Sequence, residues 1–287
     1  MEFASRENQR YFMQSLAKGL VVLQCLAEAE SPLNLSQIAR AAGINNATAT
    51  RCCYTLARLG YVTRDESRRF HLTPRVLTLG YAAVRHMGWR QVALSYMHQL
   101  SRRIDETVNL SVLEGAELIY VGRINTARIL SYELQIGSRL PLHCTSMGKA
   151  LLAFSPPAKA KAIVDRLQFV ALTHRTITSK AEYLAELDRV RAQGFAMNDE
   201  ELSVGLRSVS APVLDAQGWA LAGLNIAVPT KRYTREAAVN ALAPQAVACA
   251  AEISWALMAM ELEDGGDPTA EAPPRSLAAA GRRVNRR

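Results

Sequence analysis

Arginine, asparagine and threonine recur where a short helical pattern and a following hairpin would hold them together. Asn46, Thr48 and Arg51 fall in the first turns of a helical stretch from Asn46 to Leu59, and Arg64, Arg68 and Arg69 lie on the segment just after it. Guanidinium groups pair bidentately with guanine edges and phosphates, and short polar side chains on a helix can read base edges. These six residues are therefore candidates for contact with double-stranded DNA. Asn46, Thr48 and Arg51 would face the bases, and Arg64, Arg68 and Arg69 the backbone or a minor groove.

Other reactive-looking groups lead nowhere catalytic. Ser146-Met147-Gly148-Lys149 resembles the end of a phosphate loop, but that loop needs a Gly five residues before its last Gly and a hydroxyl after the Lys; His143 and Ala150 stand there instead. The five histidines, His71, His86, His98, His143 and His174, show no metal-ligand spacing. Asn198-Asp199-Glu200-Glu201 has no partnering nucleophile and reads as a solvated turn or helix start. Cys25, Cys52, Cys53, Cys144 and Cys249 are odd in number and scattered, which gives no disulfide framework; Cys52 and Cys144 read as small packed side chains. Neither catalysis, a metal nor a cofactor is expected.

The elements that must position the DNA candidates follow from periodicity. Leu16, Leu20, Leu23 and Leu26 mark a first helix ending near Ala29. Asn34 with Gln37 three residues later forms a capping signature for a second helix, which Gly43 stops. The third helix, from Asn46 to Leu59, would bury Ala49, Cys52, Leu56 and Leu59 and turn Thr48, Arg51, Thr55 and Arg58 outward. Tyr61–Arg64 and Arg69–Leu72 flank a polar turn and read as two strands. Three helices and a basic hairpin make a winged helix-turn-helix, whose third helix enters the major groove.

Pro74 opens a further helix, and another runs from Trp89 to Ile104. Strands are expected at Thr107–Leu113, Glu117–Ile124 and Ile129–Ile136, with helices at Gly148–Ala153, Ala158–Leu167 and Ala181–Gln193. A hairpin over Arg207–Val228 turns at Asp215-Ala216-Gln217-Gly218, and a long helix spans Thr234–Met260. Hairpins mixed with helices give an α+β class. The expected divisions are a flexible start at 1–10, the winged domain at 11–73, a linker helix at 74–90, a second domain at 91–263 and a disordered basic tail at 264–287.

Charge divides along these lines. Residues 1–90 hold 12 Lys+Arg against 6 Asp+Glu, whereas 91–263 hold 17 of each, so the net charge of +8 lies mostly in the small domain. A basic module on a neutral one suggests a polyanion reader attached to something with a different task. At 49% hydrophobic and 21% charged, the 287 residues are typical of a folded globular chain. The polar start and the lack of an apolar run approaching eighteen residues read as a cytoplasmic protein with no signal peptide or membrane contact.

Several separated motifs resemble the IclR-type transcriptional regulators. They are Gln14-Ser15-Leu16-Ala17-Lys18-Gly19-Leu20, Leu56-Ala57-Arg58-Leu59-Gly60-Tyr61-Val62, Phe70-His71-Leu72-Thr73-Pro74-Arg75-Val76-Leu77, Gly137-Ser138-Arg139-Leu140-Pro141-Leu142-His143, Thr145-Ser146-Met147-Gly148-Lys149-Ala150, and Gly205-Leu206-Arg207-Ser208. Gln14-Ser15-Leu16, Thr145–Gly148 and Ala222-Gly223-Leu224-Asn225-Ile226 look most like the branch governing protocatechuate, 4-hydroxybenzoate and β-ketoadipate catabolism.

The resemblance implies a winged helix domain, a linker helix and a C-terminal effector domain with a curved antiparallel sheet flanked by helices. It implies a homodimer or dimer of dimers on operator DNA, with RNA polymerase as a further potential contact. It also implies a pocket for a small organic acid, mapping here to Ser146 and Met147 on one side and Asn198, Ser208 and Asn225 on the other, with Leu140 and Leu206 as apolar wall. Two alternatives stand beside this reading: a small-acid hydrolase or lyase dependent on Ser208 or Asn225, and a DNA-binding architectural protein without a ligand.

Overall fold

The computed structural model describes residues 11–126 and 134–263, and the chain divides into two compact units, Met1–His86 and Met87–Arg287. In the first unit, α1 (Gln14–Glu28), α2 (Leu35–Ala41) and α3 (Asn46–Arg58) precede a hairpin of β1 (Val62–Arg64) and β2 (Phe70–Leu72), and α4 (Arg75–Arg85) follows. Both sides of the Asn34/Gln37 capping box form at 2.9 Å, which starts α2 without unsatisfied amides. Asn45 caps α3 by accepting from the Thr48 amide at 2.8 Å. Val22, Leu26, Ile38, Ala49, Cys53, Leu56, Val62 and Phe70 close one small core.

The pattern of burial differs from the expected one in two places. Cys53 is the cysteine fully buried in the core of α3, with Cys52 half-buried against it, and Leu59, the C-cap of the helix, is 52% exposed. Leu16 and Leu20 of α1 are 59% and 52% exposed, so the stripe that buries is Val22 and Leu26. The wing is tied back by paired backbone bonds between Leu33 and Phe70, at 2.7 and 3.1 Å.

The second unit begins with α5 (Gly88–Ile104) and is organised by one six-stranded antiparallel sheet. Its strands are β3 (Thr107–Glu114), β4 (Glu117–Ile124), β5 (Arg139–Pro141), β6 (Ala196–Asp199), β7 (Leu206–Leu214) and β8 (Ala220–Pro229), in the spatial order β5-β4-β3-β8-β7-β6. Between β5 and β6 run α6 (Ser146–Ala153), α7 (Pro157–Val164) and α8 (Lys180–Gln193). After β8 come α9 (Arg235–Ala237), a π-helical turn (Ala238–Leu242) and α10 (Ala243–Glu263).

Alternation along the strands sorts residues to two faces. Val108, Leu110, Val209, Ala211, Val213, Leu224 and Ile226 pack with α5 and α10 on one face. The curved sheet presents its other, concave face to α6, every residue of which is buried. Gly148 is required there: a Cβ on it would lie 2.2 Å from the Leu142 carbonyl oxygen, far inside any tolerable contact.

Three expectations about elements change. Most of the strand expected at Ile129–Ile136 lies outside the described residues, and Leu134–Ile136 are not strand; the edge strand is instead β5. Asn198-Asp199 belong to β6 rather than a solvated turn, and Glu201 is buried. The long terminal helix runs over the expected span and carries a π-helical turn at Ala238–Leu242. The segment Arg235–Met260 is, by length and composition, apolar enough to cross a membrane, contrary to the sequence reading. Its Ala246, Cys249, Ala250, Ile253 and Leu257 fill the core against the sheet, which accounts for that apolarity.

Candidate functional site

In the first unit the DNA candidates fall on the two elements expected to carry them. Asn46 and Arg51 are exposed on α3, and Thr48 is half-buried one turn in, its amide held by Asn45. Arg64, Arg68 and Arg69 are exposed on the wing. Arg68 has φ of 62°, a left-handed conformation that closes the turn, and the Asp65 side chain accepts from the Arg69 amide at 2.8 Å. Arg64 lies over the Phe70 ring, 5.5 Å from its centroid, so its stem is steadied while its charge stays in solvent. None of these side chains is in an ion pair among the described residues, leaving the guanidinium groups available to phosphate.

In the second unit a small pocket, partly open to solvent, lies between the start of α6 and the concave face. Met147, Asn198, Ser208 and Asn225 line it, as do Leu140 and Leu206. Ser146 reaches the same place through a 2.8 Å hydrogen bond between its hydroxyl and that of Ser208. The five residues named from the sequence are thus brought together, from α6, β6, β7 and β8.

Register explains the convergence. Asn198 pairs with Ser208, which pairs with Ala227, which pairs with Thr107; Ser210, Asn225 and Asn109 form the adjacent row. A sheet face this polar is buried at a cost unless its groups find partners. Asn109 Nδ2 donates to Asn225 Oδ1 at 2.7 Å, Ser210 Oγ to the Leu224 carbonyl at 2.8 Å, and the Glu201 amide to Asn198 Oδ1 at 2.8 Å. The side-chain N–H groups of Asn225 and Asn198 keep no partner among the described residues and remain free to donate to a guest.

Sequence reasoning missed Thr107, Asn109, Tyr120, Arg123, Thr145 and Leu202, which also line the cavity. Thr107 and Asn109 interrupt an otherwise apolar strand at period two, a signal that was available. No Asp, Glu, His or Lys is among the described lining residues, so the Ser146–Ser208 pair has no general base there and is not set up as a nucleophile.

Behind the cavity, Lys149 is 1% exposed. Its Nζ donates to Glu201 Oε1 at 2.5 Å and to the Met197 carbonyl at 3.0 Å, with Glu186 at 3.8 Å. Glu200, at φ of 63°, makes the bend that sends Glu201 inward. Burial raises the Glu201 carboxyl above its ordinary range, with Lys149 opposing and Glu186 adding to the shift. Burial, with Glu201 nearby, also pushes the Cys144 thiol up to about 12. The Lys149 that resembles a phosphate-loop lysine is therefore spent on a structural ion pair.

A winged helix with a basic hairpin, in one chain with a sheet that lines a small cavity with both polar and apolar groups, defines a DNA-binding regulator with an effector domain. Comparison with known proteins supplies the family. The description "IclR helix-turn-helix domain" matches residues 15–66, and "Bacterial transcriptional regulator IclR C-terminal" matches residues 81–255. The chain is 39% identical to the Pca regulon regulatory protein of Pseudomonas putida over 225 residues, covering 78% of this chain and 77% of that one. It is 32% identical over 238 residues to the p-hydroxybenzoate hydroxylase transcriptional activator of Acinetobacter baylyi, covering 81% and 88%. A solved structure from Rhodococcus sp. RHA1 is 39% identical and superposes with a TM-score of 0.74 over 87% of this chain and all of the other. The chain belongs to the IclR family of bacterial transcriptional regulators. It is a ligand-responsive DNA-binding regulator and not an enzyme.

Proposed function

We propose that this regulator controls an operon for the catabolism of an aromatic or related organic acid, and that it responds to such an acid bound in the cavity on the concave face. The observation that carries the reading is the cavity's chemistry: unpartnered amide donors from Asn198 and Asn225, the Ser146 and Ser208 hydroxyls, apolar wall from Met147, Leu140 and Leu206, and no described carboxylate. Such a lining attracts carboxylate and hydroxyl oxygens on a ring or short chain. The names of the two regulators quoted above, one of a pca regulon and one of p-hydroxybenzoate hydroxylase, support the same class of pathway.

Asn46, Thr48 and Arg51 read operator bases in this proposal, and Arg64, Arg68 and Arg69 grip phosphate or a minor groove. The active form is a homodimer or dimer of dimers in the cytoplasm, and RNA polymerase is a further partner at the promoter. Exposed Leu16 and Leu20 on α1, and Leu77 and Tyr81 on α4, supply apolar surface for self-association.

The test is a mobility shift on the DNA upstream of the gene, with protocatechuate, 4-hydroxybenzoate and β-ketoadipate added in turn. One of them is expected to change the shift at micromolar concentration. Ser208→Ala and Asn225→Ala should each weaken that ligand by about 1–3 kcal/mol, the cost of leaving a buried polar partner unsatisfied. DNA binding indifferent to every acid would return the architectural reading.

A further inference from the structure

Strict alternation along β4 would put Tyr120 and Arg123, three residues apart, on opposite faces of the sheet. The structure puts both in the cavity lining. The reason is a bulge: Gly122 pairs with Leu110 and Tyr120 with Ser111, so Val121 is an extra residue opposite the Leu110–Ser111 step. Val121 and Gly122 both turn away from the cavity. Val121 packs in the core with α5 and α10, and a Cβ on Gly122 would sit 3.1 Å from Leu110 and 3.4 Å from Leu94. Past the bulge the alternation resumes in opposite phase, and Arg123 faces the concave side, across from Asn109.

There it is held but not neutralised. Its Nη1 donates to Asn109 Oδ1 at 3.1 Å and its Nε to Asn125 Oδ1, both uncharged acceptors. No carboxylate among the described residues lies within ion-pairing distance of it, and none lines the cavity. Burial lowers the Arg123 pKa from its ordinary value, as expected for a cation losing water without gaining an anion. Two carboxamides fix the direction of the guanidinium while leaving its charge unmatched and Nη2 unused. The same Asn109 donates onward to Asn225, so the row Arg123, Asn109, Asn225 presents a cation at one end and a free amide N–H at the other.

Resting on the effector reading above, we propose that Arg123 is the carboxylate anchor of the cavity: its guanidinium binds the acid group of the effector, and Asn225 receives an oxygen further along the molecule. The β4 bulge is then a specificity device, since without it the cavity would hold no positive charge from the described residues.

Calorimetry on the full-length protein tests this, using protocatechuate, 4-hydroxybenzoate and β-ketoadipate, each beside its uncharged amide. The acid that binds should exceed its amide by about 10- to 100-fold, the usual worth of a charge-assisted contact. Arg123→Gln should remove that preference, weakening the acid while leaving the amide as it was, and Arg123→Lys should fall between because it keeps the charge without the fork. A merely structural role would lower acid and amide alike. Acid binding unchanged in Arg123→Gln, with Ser208→Ala and Asn225→Ala weakened, overturns the anchor and keeps the cavity. If no acid binds the unaltered protein, or none of the three variants changes binding, the cavity reading falls and the anchor with it. Should Arg123→Gln fail to fold, the acid-to-amide ratio of the unaltered protein decides, equal affinity overturning the anchor.

Discussion

The proposed DNA interface gives arginine two different jobs, and single substitutions separate them. Arg51 stands exposed on α3, where a guanidinium can bond two acceptors of one guanine, while Arg68 stands exposed at the tip of the wing, where phosphate is the available partner. Arg51→Ala should cost about 1–3 kcal/mol on the preferred operator and relax preference at one base position. Arg68→Ala should weaken all sequences alike and reduce the salt slope by about one. Binding isotherms on specific and scrambled DNA at several salt concentrations check both. Equal loss on both DNAs for Arg51→Ala would move it from base reading to phosphate contact.

Among the elements, α6 carries the most constraint, because it is packed against the sheet and bears one charge on its buried side. Lys149→Ala would leave Glu201 buried without its cation, and a loss of about 3–5 kcal/mol is expected in urea unfolding. Combining Lys149→Met with Glu201→Gln removes both charges and should recover much of that loss. The pH dependence follows from the raised Glu201 pKa. The folded state holds the proton more tightly than the unfolded one, so this residue's contribution becomes less favourable as pH rises from the ordinary carboxylate range through the folded value. Glu201→Gln should therefore flatten the stability profile across that window; an unchanged profile would mean that Lys149 fully offsets the burial.

For the whole molecule, the binding unit is small and reads only a short half-site, so useful specificity needs two copies in symmetry. Sedimentation at micromolar concentration is expected to show a dimer or tetramer. Replacing Leu16 and Leu20 together by Glu should shift it toward monomer and cost operator affinity while leaving effector binding intact. A monomer with full operator affinity would contradict the proposed assembly.

What could be read from residue order alone was whatever depends on local period and local capping. The Asn34/Gln37 box, the third helix with its outward Arg51, the arginine wing, and the β3–β4 and β7–β8 hairpins are each specified by neighbours within a few positions. The proposed effector residues Ser146, Asn198, Ser208 and Asn225 came through resemblance, since no local rule brings four distant segments to one cavity. Short strands escaped notice: β5 has three residues and β6 four, too few for a period to show, and so Asn198 to Glu201 looked solvated. Tertiary structure alone decided that Glu201 turns inward to Lys149, because burial of an ion pair depends on α6 lying over the sheet. It alone decided the direction of Arg123, because one unpaired residue in β4 reverses the phase of alternation, and pairing register belongs to two strands and not to either sequence by itself.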